Sequence, residues 1–234
     1  ARSADLLDFE LPYSTAEIDQ ACRETCAKMG MEDAYVRPVA YLGPEQVSVS
    51  ALNNKVHVAI AVWDWPSYFD PEVKKKGIKL EWAKWRRPDP LTAPTTAKAA
   101  GLYMICTMSK NAAEKRGFAD AMMLDWQGRV AECTGANIFF TRDGAIHTPT
   151  ADCFLNGLTR QTVMELAKTQ GLEIIERRIM PDELASFNEC FIVGSAAEVT
   201  PVAEIGPYMF KPGNISRTLM DAYSMAVRSA AKAA

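Results

Sequence analysis

Lys98 lies in Thr95-Thr96-Ala97-Lys98-Ala99-Ala100-Gly101, a stretch otherwise free of charge, so no acid one helical turn away pairs with it. A lysine among small residues can enter a tight pocket, lose solvation and present a neutral amine that attacks an aldehyde. Downstream residues could complete such chemistry. Tyr103 offers a phenol for a ring oxygen, against an ordinary reading as a packing tyrosine. Glu132 ends Val130-Ala131-Glu132 and precedes Gly135; it is either a solvated strand-end acid or a carboxylate for a ring nitrogen. Gly157-Leu158-Thr159 leads into a helical pattern, where a threonine is commonly a plain cap, but where backbone N–H groups and a hydroxyl also suit an anion. Gly194-Ser195-Ala196 follows the apolar run Cys190-Phe191-Ile192-Val193, and its glycine lets the backbone approach a ligand.

Regular elements must hold these residues. Ser14-Thr15-Ala16-Glu17 is a capping box, followed by Ile18, Cys22, Cys26 and Met29 at helical spacing until Gly30. Tyr35 to Tyr41 and Lys55 to Trp63 read as strands, with Asn53-Asn54 as a turn signal between them. Trp65 to Gly77, with two prolines and Lys74-Lys75-Lys76, reads as a solvated connection between domains. Ile78, Leu80 and Trp82 alternate as in a half-buried strand, and Pro88, Pro90 and Pro94 then exclude regular structure. A helix closes over Asn111 to Arg116, and Gln127-Gly128 and Asp143-Gly144 turn hairpins, so the middle of the chain is expected to be antiparallel β. Thr159 to Gln170 and Ile215 to Val227 are helical.

At 234 residues, 48% hydrophobic and 24% charged, the chain is a globular one with room for one large domain or two modest ones. No apolar run is long enough to span a bilayer, so no membrane segment is expected. A net charge of -3 with scattered Lys and Arg disfavours a nucleic acid partner. Six cysteines without a short-loop framework suit reduced thiols and a cytoplasmic location, and Cys22 and Cys26 lack partners for zinc. His57 and His147 stand alone, without metal-ligand spacing. The start at Ala1 has no initiator Met, apolar signal region or transit-peptide bias, and reads like a chain joined partway.

The segment Thr-x-Ala-Lys-Ala-x-Gly-x-Tyr from Thr95 to Tyr103, with Glu132, Gly157-Leu158-Thr159 and Gly194-Ser195-Ala196 in that order, resembles the branched-chain aminotransferases of the class IV (fold type IV) pyridoxal phosphate enzymes. The similarity runs from about residue 11 to the end. It implies an α/β (α+β) fold with three parts: a small α/β domain over 1–64, an interdomain loop over 65–76, and a large cofactor-binding domain over 77–234 built on an antiparallel β pseudo-barrel with flanking helices. It implies pyridoxal 5′-phosphate as cofactor, Lys98 as its Schiff-base lysine and proton carrier, Glu132 at the ring nitrogen and Tyr103 at the ring hydroxyl. Leu155 then lies beneath the ring, and Leu158, Thr159 and Ser195 take the phosphate.

For substrates the resemblance implies branched-chain L-amino acids, glutamate and their 2-oxo acids. Tyr35-Val36-Arg37 matches a Tyr-x-Arg pattern in which Arg37 holds the glutamate side chain, Trp65 and Tyr68 match pocket walls, and the Ser195-Ala196 turn receives the α-carboxylate. A homodimer or larger homo-oligomer is implied as well. The chain departs from the pattern at Asn156, where many relatives have proline, at Ser195, where many have threonine, and at Leu42 to Ser48, which lacks a glycine-rich run. Family members also carry strands ahead of the residue matching Ala1, including an arginine on the cofactor phosphate. Either the chain is a fragment of a longer protein or it cannot complete the site, and neither Arg86 nor Arg87 is placed on the phosphate by its sequence context. A D-amino acid or amine transaminase, an aminodeoxychorismate lyase-like enzyme and an inactive fragment are the alternative readings.

Overall fold

The computed structural model describes residues 1–65, 69 and 71–229. The chain separates into two units, Ala1–Pro66 and Ser67–Ala234. In the first, α1 (Arg2–Leu6) precedes α2 (Thr15–Lys28). The capping box forms at the start of α2: Glu17 N–H donates to Ser14 Oγ at 3.2 Å and Ser14 N–H to Glu17 Oε2 at 2.8 Å, satisfying donors that the helix cannot satisfy itself. Gly30, at φ 67°, ends it. β1 (Tyr35–Leu42) and β2 (Val56–Trp63) pair antiparallel, with Tyr35 opposite Trp63 and Leu42 opposite Val56. Val56, Val58, Ile60 and Val62 are half-buried while His57, Ala59 and Ala61 are exposed, the period-two pattern of a sheet covered on one face. The Asn54 amide donates to the carbonyls of Gly43 and Gln46 and closes the loop between the strands.

The second unit opens with α3 (Pro71–Lys76) and β3 (Ile78–Trp82), then α4 (Ala100–Glu114), β4 (Asp120–Leu124), β5 (Val130–Cys133), β6 (Asn137–Arg142) and β7 (Ala145–Pro149). It continues through α5 (Leu158–Thr169), β8 (Ile174–Arg177), a 3₁₀ turn at Pro181–Ser186, β9 (Glu189–Gly194), β10 (Glu198–Ile205), β11 (Tyr208–Met209) and α6 (Asn214–Ser229). The strands form one sheet in the order β5-β4-β3-β10-β9-β6-β7-β8, with β11 on β10. The sheet curls until its ends meet, because Val130 N–H in β5 donates to the Ile179 carbonyl just past β8 at 2.9 Å.

The two hairpins form where expected, but the sheet is mixed rather than antiparallel throughout. β3 pairs parallel with β4, β7 with β8, and β10 with β3. The reason is visible in the connections: α4 lies between β3 and β4 and α5 between β7 and β8, and a helical crossover brings the chain back in the same direction. Strands at the centre are buried on both faces. Ile138, Phe140 and Ile192 point into one apolar cluster, and Phe139, Phe191 and Val193 into another beneath α5 and α6; such strands read as continuous apolar runs. The six cysteines are free thiols, four of them buried in this packing.

The lysine run keeps Lys75 and Lys76 solvated, as expected from its composition, but not Lys74. It forms the last turn of α3, which brings Lys74 within 3.1 Å of Glu198 with only 14% of its side chain exposed. Arg228 of α6 joins the same carboxylate at 3.0 Å. A second carboxylate, Glu189 at the start of β9, closes the amino end of α6: it accepts from Gly213 N–H at 3.0 Å, Ser216 N–H at 2.9 Å and the Ser216 hydroxyl at 2.6 Å. A half-buried acid that satisfies several helix-end donors is a strong local anchor. Glu189→Ala should therefore lower unfolding stability by about 2 kcal/mol, and Ser216→Ala by about half that, in urea denaturation of the full chain.

Candidate active site

One cavity of about 220 Å³ in the second unit brings together Lys98, Tyr103, Glu132, Leu155, Leu158, Thr159 and Ser195. Lys98 follows the broken proline segment, which is pinned by Ala97 N–H donating to the Pro94 carbonyl at 2.9 Å. Ala99 then starts α4 in extended conformation, so Lys98 stands at the mouth of that helix with Tyr103 one turn along. Its ammonium donates to the Tyr103 hydroxyl at 2.6 Å. The tight, desolvated pocket expected for this lysine is not what forms: Lys98 is exposed and Tyr103 is 38% exposed, because both occupy the open side of the cavity.

Glu132 lies on the opposite, closed side. Its ordinary reading as a solvated strand-end acid fails, since the residue is only 8% exposed. The curl of the sheet covers the end of β5, which no local pattern records. Glu132 Oε1 faces Arg87 Nε at 3.4 Å, and Oε2 accepts from Asn137 Nδ2 at 3.1 Å. Burial pushes the Glu132 carboxyl up from its usual 4.5 to about 8; the charges of Arg87 and Lys98 oppose that rise, and the buried carboxyl of Asp120 adds to it.

Arg87 and Asn137 are the residues that sequence reasoning missed. Arg87 is 4% exposed and held by its backbone, whose N–H donates to the Leu124 carbonyl at 2.8 Å as the chain bridges to Asp125 beside β4. Its Nη1 also meets the sulfur of Cys106 at 3.4 Å. Arg87 thus faces the acid. The only sequence signal at Asn137 is a polar residue heading the apolar run Ile138-Phe139-Phe140.

α5 begins at the cavity with Gly157 as its N-cap and no side chain capping it. The N–H groups at such an end carry partial positive charge. Thr159, 6% exposed, lines the cavity in the first turn, while Leu158 is largely exposed. Gly194, at the end of β9, is closely packed: a Cβ there would lie 3.2 Å from the Gly135 carbonyl. Ser195 follows into the cavity, whereas Ala196 is half-buried and not part of the lining.

Tyr35, Arg37 and Trp65 belong to the first unit. There the rings of Tyr35, Trp63 and Trp65 cluster, with centroids 4.6 Å apart for Tyr35 and Trp65, and the Arg37 guanidinium lies 6.0 Å from the Trp63 ring. Tyr68 lies outside the described residues. Among the described residues no cluster of potential ligands could hold a metal ion, and no helix is long and apolar enough to cross a membrane.

Comparison with known proteins places this geometry. The family described as amino-transferase class IV matches residues 1–205. A branched-chain-amino-acid aminotransferase of Pseudomonas aeruginosa is 39% identical over 203 residues, covering 87% of this chain and 66% of that protein, so the chain spans about two thirds of that relative's length. The branched-chain aminotransferase of Thermoproteus uzoniensis, solved with norvaline, superposes with a TM-score of 0.92 at 34% identity over 97% of this chain and 76% of the other. An aminotransferase from Brucella abortus, solved with the cofactor PLP bound, gives 0.85 at 27% identity, over 97% of this chain and 80% of the other.

The electrostatics of Glu132 give a pH test. Its folded pKa is raised, so its contribution to stability is fully present below about 4.5 and is lost as pH rises through about 8. In the ligand-free protein Glu132→Gln should melt close to the wild type at pH 5 and several degrees above it at pH 9, at about 2–4 °C per kcal/mol. Parallel melting curves across that range would refute a buried, strained carboxylate.

Proposed function

Because the chain belongs to the class IV amino-transferase family, we propose that its second unit holds pyridoxal 5′-phosphate and that the protein passes the amino group of L-leucine, L-isoleucine or L-valine to 2-oxoglutarate. The donor set fits that cofactor: an amine paired with a phenol, a buried carboxylate across the cavity, and a helix amino end with no side-chain cap. This juxtaposition in one cavity carries the reading. When bound, pyridoxal phosphate supplies an aldehyde for the substrate amine and a pyridine ring that takes up the electron pair left at Cα.

The chain's own residues then divide the work. Lys98 is the catalytic base, moving the proton at substrate Cα, with its amine held in place by the Tyr103 hydroxyl. Tyr103 also meets the ring hydroxyl. Glu132 binds the ring N–H and must be ionised to do so. The Arg87 charge beside it favours that ionised form against the effect of burial. Thr159, Leu158 and the first N–H groups of α5, with Ser195, receive the phosphate, and Leu155 packs under the ring.

For substrates the family resemblance assigns Arg37 as a fork for the glutamate carboxylate and Tyr35, Trp65 and Tyr68 as apolar wall. Ser195 and Ala196 take the α-carboxylate. We further propose a homodimer or larger homo-oligomer in the cytoplasm, a compartment that suits six unpaired thiols.

Amino-donor assays with 2-oxoglutarate should give turnover with L-leucine and little with D-alanine. The reverse preference would assign the site to D-amino acid chemistry. Lys98→Met should lower the rate with L-leucine by about 10³-fold or more, and borohydride should fix the cofactor's mass on Lys98 in the wild type only. Full activity in the Lys98→Met protein would end this assignment.

A further inference from the structure

The two anchors of the cavity, the buried Glu132 carboxylate and the half-buried turn that opens α5, come from different parts of the fold and are joined by one side chain. Asn137, 5% exposed at the first position of β6, donates from Nδ2 to Glu132 Oε2 at 3.1 Å and to the Leu155 carbonyl at 3.0 Å. Its Oδ1 accepts from Gly157 N–H at 3.3 Å. Both amide hydrogens and the carbonyl are engaged. The partners fix the orientation of the amide, since the flipped group would set an oxygen against a carboxylate and a carbonyl. Space is equally constrained, because a Cβ at position 157 would fall 2.7 Å from Asn137 Oδ1.

Resting on the cofactor reading above, we infer that Asn137 is a positioning residue that sets the separation between the carboxylate for the ring nitrogen and the turn for the phosphate. A ligand that reaches both ends at once is then recognised by its length as well as by its groups. The three hydrogen bonds make the coupling physical: moving the α5 turn moves the amide, and moving the amide removes a donor from Glu132. The loss of that donor favours the protonated carboxyl.

Three consequences separate this role from simple packing. First, Asn137→Ala should weaken pyridoxal phosphate binding by about tenfold, with a smaller loss for pyridoxal, which has no phosphate to be placed. Second, Asn137→Ala combined with Thr159→Ala should lose less affinity than the product of the single losses, and the same should hold with Glu132→Gln. Third, the pH at which the bound cofactor's absorbance changes should shift in Asn137→Asp, which sets a second carboxylate on Glu132, and return towards the wild type in Asn137→Ser.

Gly157→Ala presses on the same amide from the other side and should reproduce the selective loss, so the idea stays testable if Asn137→Ala folds poorly. The titrations use the full chain with pyridoxal phosphate and pyridoxal. A lowered melting temperature with an unchanged affinity ratio between the two ligands, or fully additive double variants, overturns the inference. Failure of the wild type to bind pyridoxal phosphate at all would instead overturn the function proposed above.

Discussion

A carboxylate withdrawn from water must find compensation from its neighbours, and in this protein Glu132 sets that requirement. Each of its oxygens has a partner: Arg87 faces one and Asn137 donates to the other. The compensation is partial, since burial still holds the carboxyl up at about 8. An acid in that state is sensitive to one more positive charge. A protonated ring nitrogen arriving beside it would draw it into the ionised form, because an opposite charge nearby favours the charged species. The ionisation of this acid is thus coupled to the arrival of a positively charged ligand, and that coupling enters the free energy of binding.

The curled sheet exists, in this sense, to gather the partners of one acid. The β4–β5 hairpin carries Glu132 inwards, and the sheet ends close over it where Val130 bonds to Ile179. β4 also supplies the Leu124 carbonyl that fixes the backbone of Arg87. β6 starts with Asn137 only a short turn after Glu132, and β9 delivers Gly194 against Gly135 in that same turn. The parallel pairings imposed by α4 and α5 matter for the same reason. Each crossover helix begins at the cavity, one with Lys98 before it and the other with Gly157 at its cap.

What the sequence disclosed follows from the range of the interactions involved. The capping box at Ser14 and Glu17, the turns at Gly128 and Gly144, and the apolar strands β6 and β9 depend on neighbours a few residues away, and their patterns are complete within a short window. The mixed character of the sheet was hidden, because β-propensity does not encode the direction of a partner strand. Lys98 and Glu132 were legible through the unusual company they keep, but their solvation was not. Lys98 lies in the open and Glu132 in the interior, and both facts are set by chain segments far from either residue. The sequence context of Arg87 assigned it no partner, and Lys74 read as part of a charged linker. Arg87 is buried and Lys74 half-buried because a remote acid is folded against each.

The cavity is accordingly asymmetric. Its acid is buried and tied by Asn137 to a half-buried helix-end turn, while its amine and phenol stand on the exposed start of α4. Under the proposed chemistry that asymmetry has a clear use. The ring and phosphate remain in place through both halves of the reaction and are best held by rigid groups excluded from water, where each hydrogen bond is strengthened by its surroundings. The amine must meet first one substrate and then another, so it belongs where molecules enter. A lysine on a flexible stem beside a phenol that orients it can serve an open position without becoming a fixed part of the wall. The same division explains why the buried side is crowded with hydrogen bonds between distant segments and the open side is assembled from residues nearly adjacent in the chain.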